Sequence, residues 1–433
     1  MPAKYRDKSR KIRKYYSDNE EQRDRPLLFE NSYLGDLHFD LRIGQLPTNI
    51  SEHALRCVLG EALLRNPENS WISYSLNSNK YIGVDRYGGP DFRRLKVKGA
   101  TEYAASLGLI CIDAGKSWAQ DGYGKQSRFT ATPTLIQMAG LEPAIIKHPR
   151  ELIRLKDEKH TLIGYVDTDF TIELRNDLRE WNDHISQFHI WVDDPHVKWT
   201  NTGVVKICSQ RENGGHFFIR PDSVAMHRVF NDNSFKLGGR AFGPFWQSLP
   251  KSMRKNVRID NSYTASGDYS CSHLRLAYAE AGLDPGVEDG YAIPGYEDPT
   301  GRSLVKIATN IAINCKNNNQ ARRAVSDQVA WMENGSLGPQ KGNTNHKDAV
   351  KVLEAILDKH HRISEAFYSG SGLRFMAIEA RILADVARAA RQRGIVTLPV
   401  HDELICQSQH IDIVKDLMTE KWSETVPVRP IVK

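Results

Sequence analysis

Apolar residues recur at helical spacing in "SEHALRCVLGEALLRN" (residues 51–66), behind Ser51, a residue type that caps helix N-termini. A second amphipathic segment, "DFRRLKVKGATEYAASLGLI" (91–110), sets Arg93, Arg94, Lys96 and Lys98 along one predicted helix. Short β-like runs follow, around a glycine-rich basic turn that holds Gly122, Gly124, Lys125 and Arg128. Residues 141–235 are mixed and polar, with one helical candidate at "RNDLREWNDHISQF" (175–188), and read as a linker or thumb-like helical region. From residue 236 the pattern changes. An amphipathic helix over 375–393 stops at Gly394, as a C-terminal glycine cap should, and leads into the apolar strand "IVTLPV". The next bend, in "TLPVHDELICQ" (397–407), puts two adjacent carboxylates, Asp402 and Glu403, into a hairpin that reads as buried.

Composition narrows the class without fixing it. The 433 residues are 40% hydrophobic and 26% charged, as in an ordinary globular chain long enough for two or three domains. No apolar run is long enough to span a membrane, and the basic N-terminus lacks a signal-peptide hydrophobic region, so a cytoplasmic protein without membrane contact is expected. Six cysteines are scattered singly with no CxxC pair, which argues against a zinc ribbon and suits a reducing compartment.

The net charge of +6 points mildly to polyanions, and its distribution says more. Residues 1–40 read as a basic arm and connector, with "KYRDKSRKIRKYY" (4–16) able to lie along a phosphate backbone or to stay a solvated tail. Over 41–140, two helices followed by a basic hairpin resemble a winged helix-turn-helix, which makes Arg94, Lys98, Lys125 and Arg128 expected DNA contacts.

The carboxylates at 402–403 have possible partners upstream. "GDYSCSHLRLAYAEAGL" places Asp268 at the start of another apolar-flanked element, with Arg275 about two helical turns on. In "RSLVK", a spacing of four puts Arg302 and Lys306 on one helix face. Singly, each has a plain reading: a solvated turn for Asp402–Glu403, a helix cap for Asp268, an exposed face for the two cations. Together they are the parts of two-metal phosphoryl transfer, in which carboxylates hold two Mg²⁺ ions about 3.5–4 Å apart and cations neutralise a triphosphate.

In order, these segments resemble the motifs of family A DNA polymerases, the DNA polymerase I family. "DYSCSHLR" is similar to motif A, usually DYSQIELR; "RSLVK" resembles the RxxxK of motif B; "VHDEL" matches motif C; and "GGR…WQSLP" (238–250) resembles the TGR…LQNIP segment ahead of motif A. The resemblance covers about residues 236–433, and no proofreading exonuclease domain is evident. It implies that Asp268 and Asp402 bind two Mg²⁺ (or Mn²⁺), assisted by the Tyr269 carbonyl, with Glu403 beside them. It further implies that Arg302 and Lys306 hold the triphosphate, that Lys306 protonates the leaving pyrophosphate, and that His401 meets the primer's terminal phosphate. Arg240 and Gln247 would line the template–primer minor groove, with Arg275 among the further nucleic-acid contacts.

Departures from the pattern are equally definite. Asn310 and Asn314–Cys315 stand where motif B has its aromatic and Tyr-Gly, so the platform that grips the incoming base is missing or built elsewhere, with Asn310 kept among the expected nucleotide contacts. His273 replaces the glutamate that excludes ribonucleotides, and "SCS" (270–272) is reminiscent of single-subunit phage RNA polymerases. The expected fold is therefore α+β: a polymerase palm, an antiparallel sheet flanked by helices with reduced fingers, behind a winged-helix-like domain. The expected activity is extension of a DNA template–primer with dNTPs, for a plasmid or phage-like replicon. Two alternatives stay open: a primase or RNA polymerase using NTPs, and a DNA-binding replication initiator without catalysis.

Overall fold

A computed structural model describes residues 25–27, 33–34, 45–65, 71–81, 85–89, 91–115, 126–139, 145–146, 151–195, 197–199, 205–208, 216–219, 223–286, 289–334 and 346–433. The protein is mixed α and β, as expected. The basic stretch 4–16 and Lys125 lie outside the described residues.

The N-terminal unit follows its hydrophobic pattern. α1 (Glu52–Arg65) buries Leu55, Val58, Leu59 and Ala62, and the Ser51 hydroxyl accepts the Ala54 N–H at 3.1 Å. A short strand, β1 (Ile72–Tyr74), precedes α2 (Arg94–Ser106) and the antiparallel pair β2 (Ile110–Asp113) and β3 (Ser127–Ala131). β3 lies between β1 and β2, and its Phe129 is fully buried in the core beneath the helices.

The expectation of a helical linker over 141–235 needs correction. One long helix is present, α3 (Asp169–Ser186), started by a Thr168–Thr171 capping box. The other described elements there are strands. β4 (Ile153–Lys156) and β6 (Ile190–Val192) alternate buried and half-buried residues, the period-two pattern of a half-buried strand, while β5 (Leu162–Ile163) pairs with β4. The boundary expected at 235/236 falls inside a hairpin of β7 (His227–Asn231) and β8 (Ser234–Phe242). Its turn residues, Asp232 and Asn233, both have positive φ (51° and 58°), the geometry a two-residue hairpin needs. β7 also pairs in parallel with β4, so residues 151–192 belong to the C-terminal body.

That body is organised around a five-stranded antiparallel sheet. Its order is β11 (Leu398–Val400), β12 (Glu403–Gln407), β10 (Ser262–Asp268), β9 (Val257–Ile259) and β6. Helices α4 (Ser272–Glu280), α5 (Pro299–Asn314), α6 (Asn318–Asn334), α7 (His346–Lys359), α8 (Gly372–Arg391) and α9 (Ile411–Thr425) complete it, packing Ala308, Val325, Val352, Ile382 and Trp422 into one core. α9 sits tightly on β10: a Cβ at Gly267 would meet Met418 Sδ at 2.8 Å, so a side chain there would have to displace Met418. No helix among the described residues is long and apolar enough to cross a membrane.

Candidate functional site

Asp268, the last residue of β10, pairs with Glu403, the first residue of β12, and the turn residue Asp402 immediately precedes Glu403. The β10–β12 register pairs Asp268 with Glu403 and Gly267 with Leu404, and the Tyr269 N–H donates to the Asp402 carbonyl at 3.4 Å. Two non-glycine residues in the left-handed region shape the bends: His401 (φ 59°) between β11 and β12, and Cys271 (φ 57°) between β10 and α4. Such backbone is tolerated where the surroundings over-determine it, and it concentrates at functional sites. On its other side the Asp268 segment is fixed by the chain's last residues: Lys433 N–H donates to Asp268 O at 3.0 Å, and Ser270 N–H to Ile431 O at 2.8 Å.

Electrostatics report the same proximity. Burial pushes the Asp268 carboxyl up to about 6, and the charges of Asp402 and Glu403 push further the same way, against Lys306 and Lys251. Asp402 is also raised, first by burial and then by Glu379, with Arg240 and Lys306 opposing. Lys306 is exposed on α5, and it acts on both aspartates. One helical turn earlier, Arg302 donates from Nε to Asp289 at 2.6 Å and lies over the Tyr291 ring at 5.7 Å. Glu403 accepts from Arg254 Nη1 at 2.5 Å, an ion pair that neutralises one of the three crowded acids.

A divalent cation suits this arrangement because it would offset the burial and the mutual repulsion that together hold Asp268 protonated to unusually high pH. Among the described residues, no group of three or more His, Cys, Asp or Glu side chains is arranged to hold a metal. Asp268 and Asp402 thus supply two carboxylates, and further ligands would have to be backbone carbonyls, substrate phosphates or water, the usual surroundings of Mg²⁺.

The raised Asp268 carries a prediction. Its folded-state value, about 6, lies above its ordinary 3.8, so the native protein holds this proton more tightly than the unfolded chain does. The resulting destabilisation is absent below the ordinary value, grows as the pH rises and is complete above the folded value. Asp268→Asn should therefore raise the melting temperature of the metal-free protein at about pH 7.5 and lose that advantage near about pH 4. Calorimetry of both proteins in chelator checks it; a difference that did not grow with pH would contradict the crowding of these acids.

No protein-family model matches this chain, and no curated protein is significantly similar to it. The site therefore stands on its own geometry.

Not every residue expected at the site is available there. Arg275 is buried, and its Nη atoms donate to the carbonyls of Arg429 (2.6 Å) and Gly286 (2.7 Å), so it fastens the C-terminal segment rather than nucleic acid. Gln247 donates from Nε2 to Ala241 O and Pro399 O, both at 3.0 Å, and clamps β8 to β11. His273 is turned into the core against Phe375, neutral because burial drives it down to about 4, and its Nε2 lies 3.6 Å from Glu379. The Tyr269 hydroxyl donates to Met418 O at 2.7 Å, which leaves only backbone to face the acids. Asn310 is half-buried one turn beyond Lys306, and its carbonyl accepts from Asn314 Nδ2 at 2.7 Å. His401 is exposed at the hairpin tip, as a primer contact would require.

In the N-terminal unit, Arg128 is taken by Asp113 (2.8 Å) and stacks over Trp71 (4.6 Å), which removes it from the expected DNA contacts. Arg94 is half-buried at the start of α2, and Lys98 pairs with Glu102 at 3.1 Å in an exposed bridge that water weakens.

Glu379 was not anticipated. It lies fully buried on α8, accepts from Arg240 Nε at 3.0 Å and from Ser272 Oγ at 3.0 Å, and so ties the hairpin strand β8, the start of α4 and α8 together beside Asp402. The signal was present in the sequence: Glu379 follows Phe375 by four residues on the stripe that continues through Ile382, Leu383 and Val386. A charge on a buried helix stripe needs a partner.

Proposed function

We propose that this chain is a template-directed nucleotidyltransferase, a compact DNA polymerase of the family A type acting on primed DNA. The observation that carries this reading is the β10–β12 register, which sets Asp268 beside Glu403 and Asp402 with Lys306 acting on both aspartates. Mg²⁺ bound there would supply Lewis-acid activation of the primer hydroxyl and of the triphosphate. The protein's own groups do the rest. Asp268 presents its carboxylate from the end of β10 and Asp402 from the β11–β12 turn beside it. Lys306, whose charge acts on both aspartates, would neutralise triphosphate charge and return a proton to the leaving pyrophosphate. Arg302, steadied by Asp289, presents its guanidinium on the same helix face. Arg240, steadied by Glu379, stands beside His401 on the approach of the primer end.

The test is primer extension on a DNA template, with Mg²⁺ or Mn²⁺ and with dNTPs and NTPs supplied separately. A protein that incorporates neither, yet binds the template, would favour the non-catalytic initiator. One observation favours ribonucleotide use as a second reading: His273, which the resemblance sets at the position of the ribonucleotide-excluding glutamate, is buried against Phe375. Equal incorporation of NTPs and dNTPs is the result that would bear this out.

The N-terminal unit supports DNA binding through α2, where Lys96 and Leu95 are exposed between Arg94 and Lys98. Arg94→Ala with Lys98→Ala should weaken duplex binding and lower the salt dependence of log K by about one per lost phosphate contact. Anisotropy titrations over a range of salt measure it, and an unchanged slope would remove α2 from the interface.

A further inference from the structure

A second cavity, of about 1020 Å³, opens between α3, the β7–β8 hairpin and the outer face of α8. Asp268 and Asp402 do not line it. Its volume is at the upper end for small-ligand sites, roughly 300–1,000 Å³. The lining is amphipathic, with aromatic rings beside cations. Phe170 is 48% exposed and meets Phe235 edge-on at 6.4 Å, while Phe235 is held edgewise by Phe230 at 5.2 Å and Tyr165 at 5.0 Å.

The charges in this cleft do not all cancel. Arg388 is paired with Asp177 (3.0 Å) and Asp385 (2.7 Å), and Arg374 with Glu280. Lys236 and Arg381 have no ion-pair partner among the described residues, and both are exposed at the rim, facing only Glu173 as a free acid. Deeper in, Arg228 is 7% exposed. Its Nε donates to Gly239 O at 2.6 Å and its guanidinium lies 5.4 Å over the Phe230 ring. No carboxylate among the described residues bonds it. Burial pulls it down to about 10, and Asp177 and Asp385 oppose this only from a distance. A buried guanidinium with no carboxylate in hydrogen-bond contact is incompletely compensated, and an anion in the cleft would complete it. Arg228 also lines a separate small cavity with Arg240 and His401.

We propose that this cleft is a second nucleotide-binding site, which takes a phosphorylated nucleoside with its phosphate toward Arg228 and Lys236 and its base against Phe170 and Phe235. The chemistry combines a charge-assisted phosphate contact with sequence-tolerant stacking. Two sources share it, a free nucleotide and a nucleotide within a single strand. The site uses none of the groups of the carboxylate centre, so it stands or falls separately from the polymerase reading.

Photo-crosslinking of the full chain tests it, with 8-azido-ATP in one arm and a 4-thiothymidine oligonucleotide in the other, adducts being mapped by mass spectrometry. Crosslinks on Phe170, Phe235 or their immediate neighbours are expected, and they should persist in Asp268→Asn. Labelling by the oligonucleotide alone assigns a single strand, and labelling by the azide alone assigns a free nucleotide. Phe170→Ala and Lys236→Glu, both at exposed positions, should each reduce labelling at least tenfold. Crosslinks confined to other parts of the chain, or labelling at the cleft untouched by both substitutions, would overturn the proposal.

Discussion

Asp402→Asn should abolish primer extension while leaving template affinity and folding intact. The carboxylate sits in the turn that leads into the strand paired with Asp268, raised by burial and by Glu379, with Arg240 and Lys306 opposing. Losing one ligand removes several kcal/mol of transition-state charge stabilisation, and each 1.4 kcal/mol is tenfold, so a fall of at least about three decades in the single-turnover rate is expected. Asp268→Asn should act equally, since the two acids form one site. Folding should not suffer, because each substitution relieves repulsion. Single-turnover extension with Mg²⁺ and duplex binding by anisotropy, measured on the same preparations, separate the effects. Retained extension in either variant would place the chemistry elsewhere.

Removing Glu379 should produce the second large effect, of a different kind. Its carboxylate is fully buried and joins Arg240, Ser272 and, at 3.6 Å, His273. Glu379→Ala would leave the Arg240 guanidinium, itself 18% exposed, without its counter-charge. Breaking a buried pair typically costs about 3–5 kcal/mol, which denaturant unfolding would register. Glu379→Gln keeps the shape and some of the hydrogen bonds, and isolates the electrostatic role. Glu379 raises Asp402 whereas Arg240 lowers it. In the Gln variant the acid limb of the pH–rate profile should therefore move to lower pH, while the primer's KM rises because Arg240 is less firmly held. A purely structural glutamate would change stability and leave that limb in place.

How much of this was legible in the sequence depended on the range of the interaction. Local periodicity located α1, α2 and α8, and the apolar run that ends in the VHDEL bend located β11 and β12. The pairing of β10 with β12 depends on register between distant segments, which periodicity does not encode. Only the ordered motifs pointed to it. The region 141–235 reads as a helical linker because its strands are only two to five residues long up to β7 and α3 alone carries a strong helical period. Arg275, Gln247 and Arg128 show a second limit. Their residue types suit phosphate contacts, yet each donates to a carbonyl or carboxylate that only the tertiary fold supplies. Sequence identifies a cation; burial and partners decide whether it is free. Glu379 failed in the opposite sense, since its place on a buried stripe was visible and was passed over.

Iron-directed backbone cleavage tests most directly whether the segments around Asp268 and Asp402 share a cation. Fe²⁺ substituted for Mg²⁺, with ascorbate and peroxide, releases hydroxyl radicals that cut the chain near the bound metal. Cuts near both 268 and 402 are expected, suppressed together by excess Mg²⁺ and lost together in Asp402→Asn. Cleavage at one segment without the other, or at neither, would contradict a shared metal site.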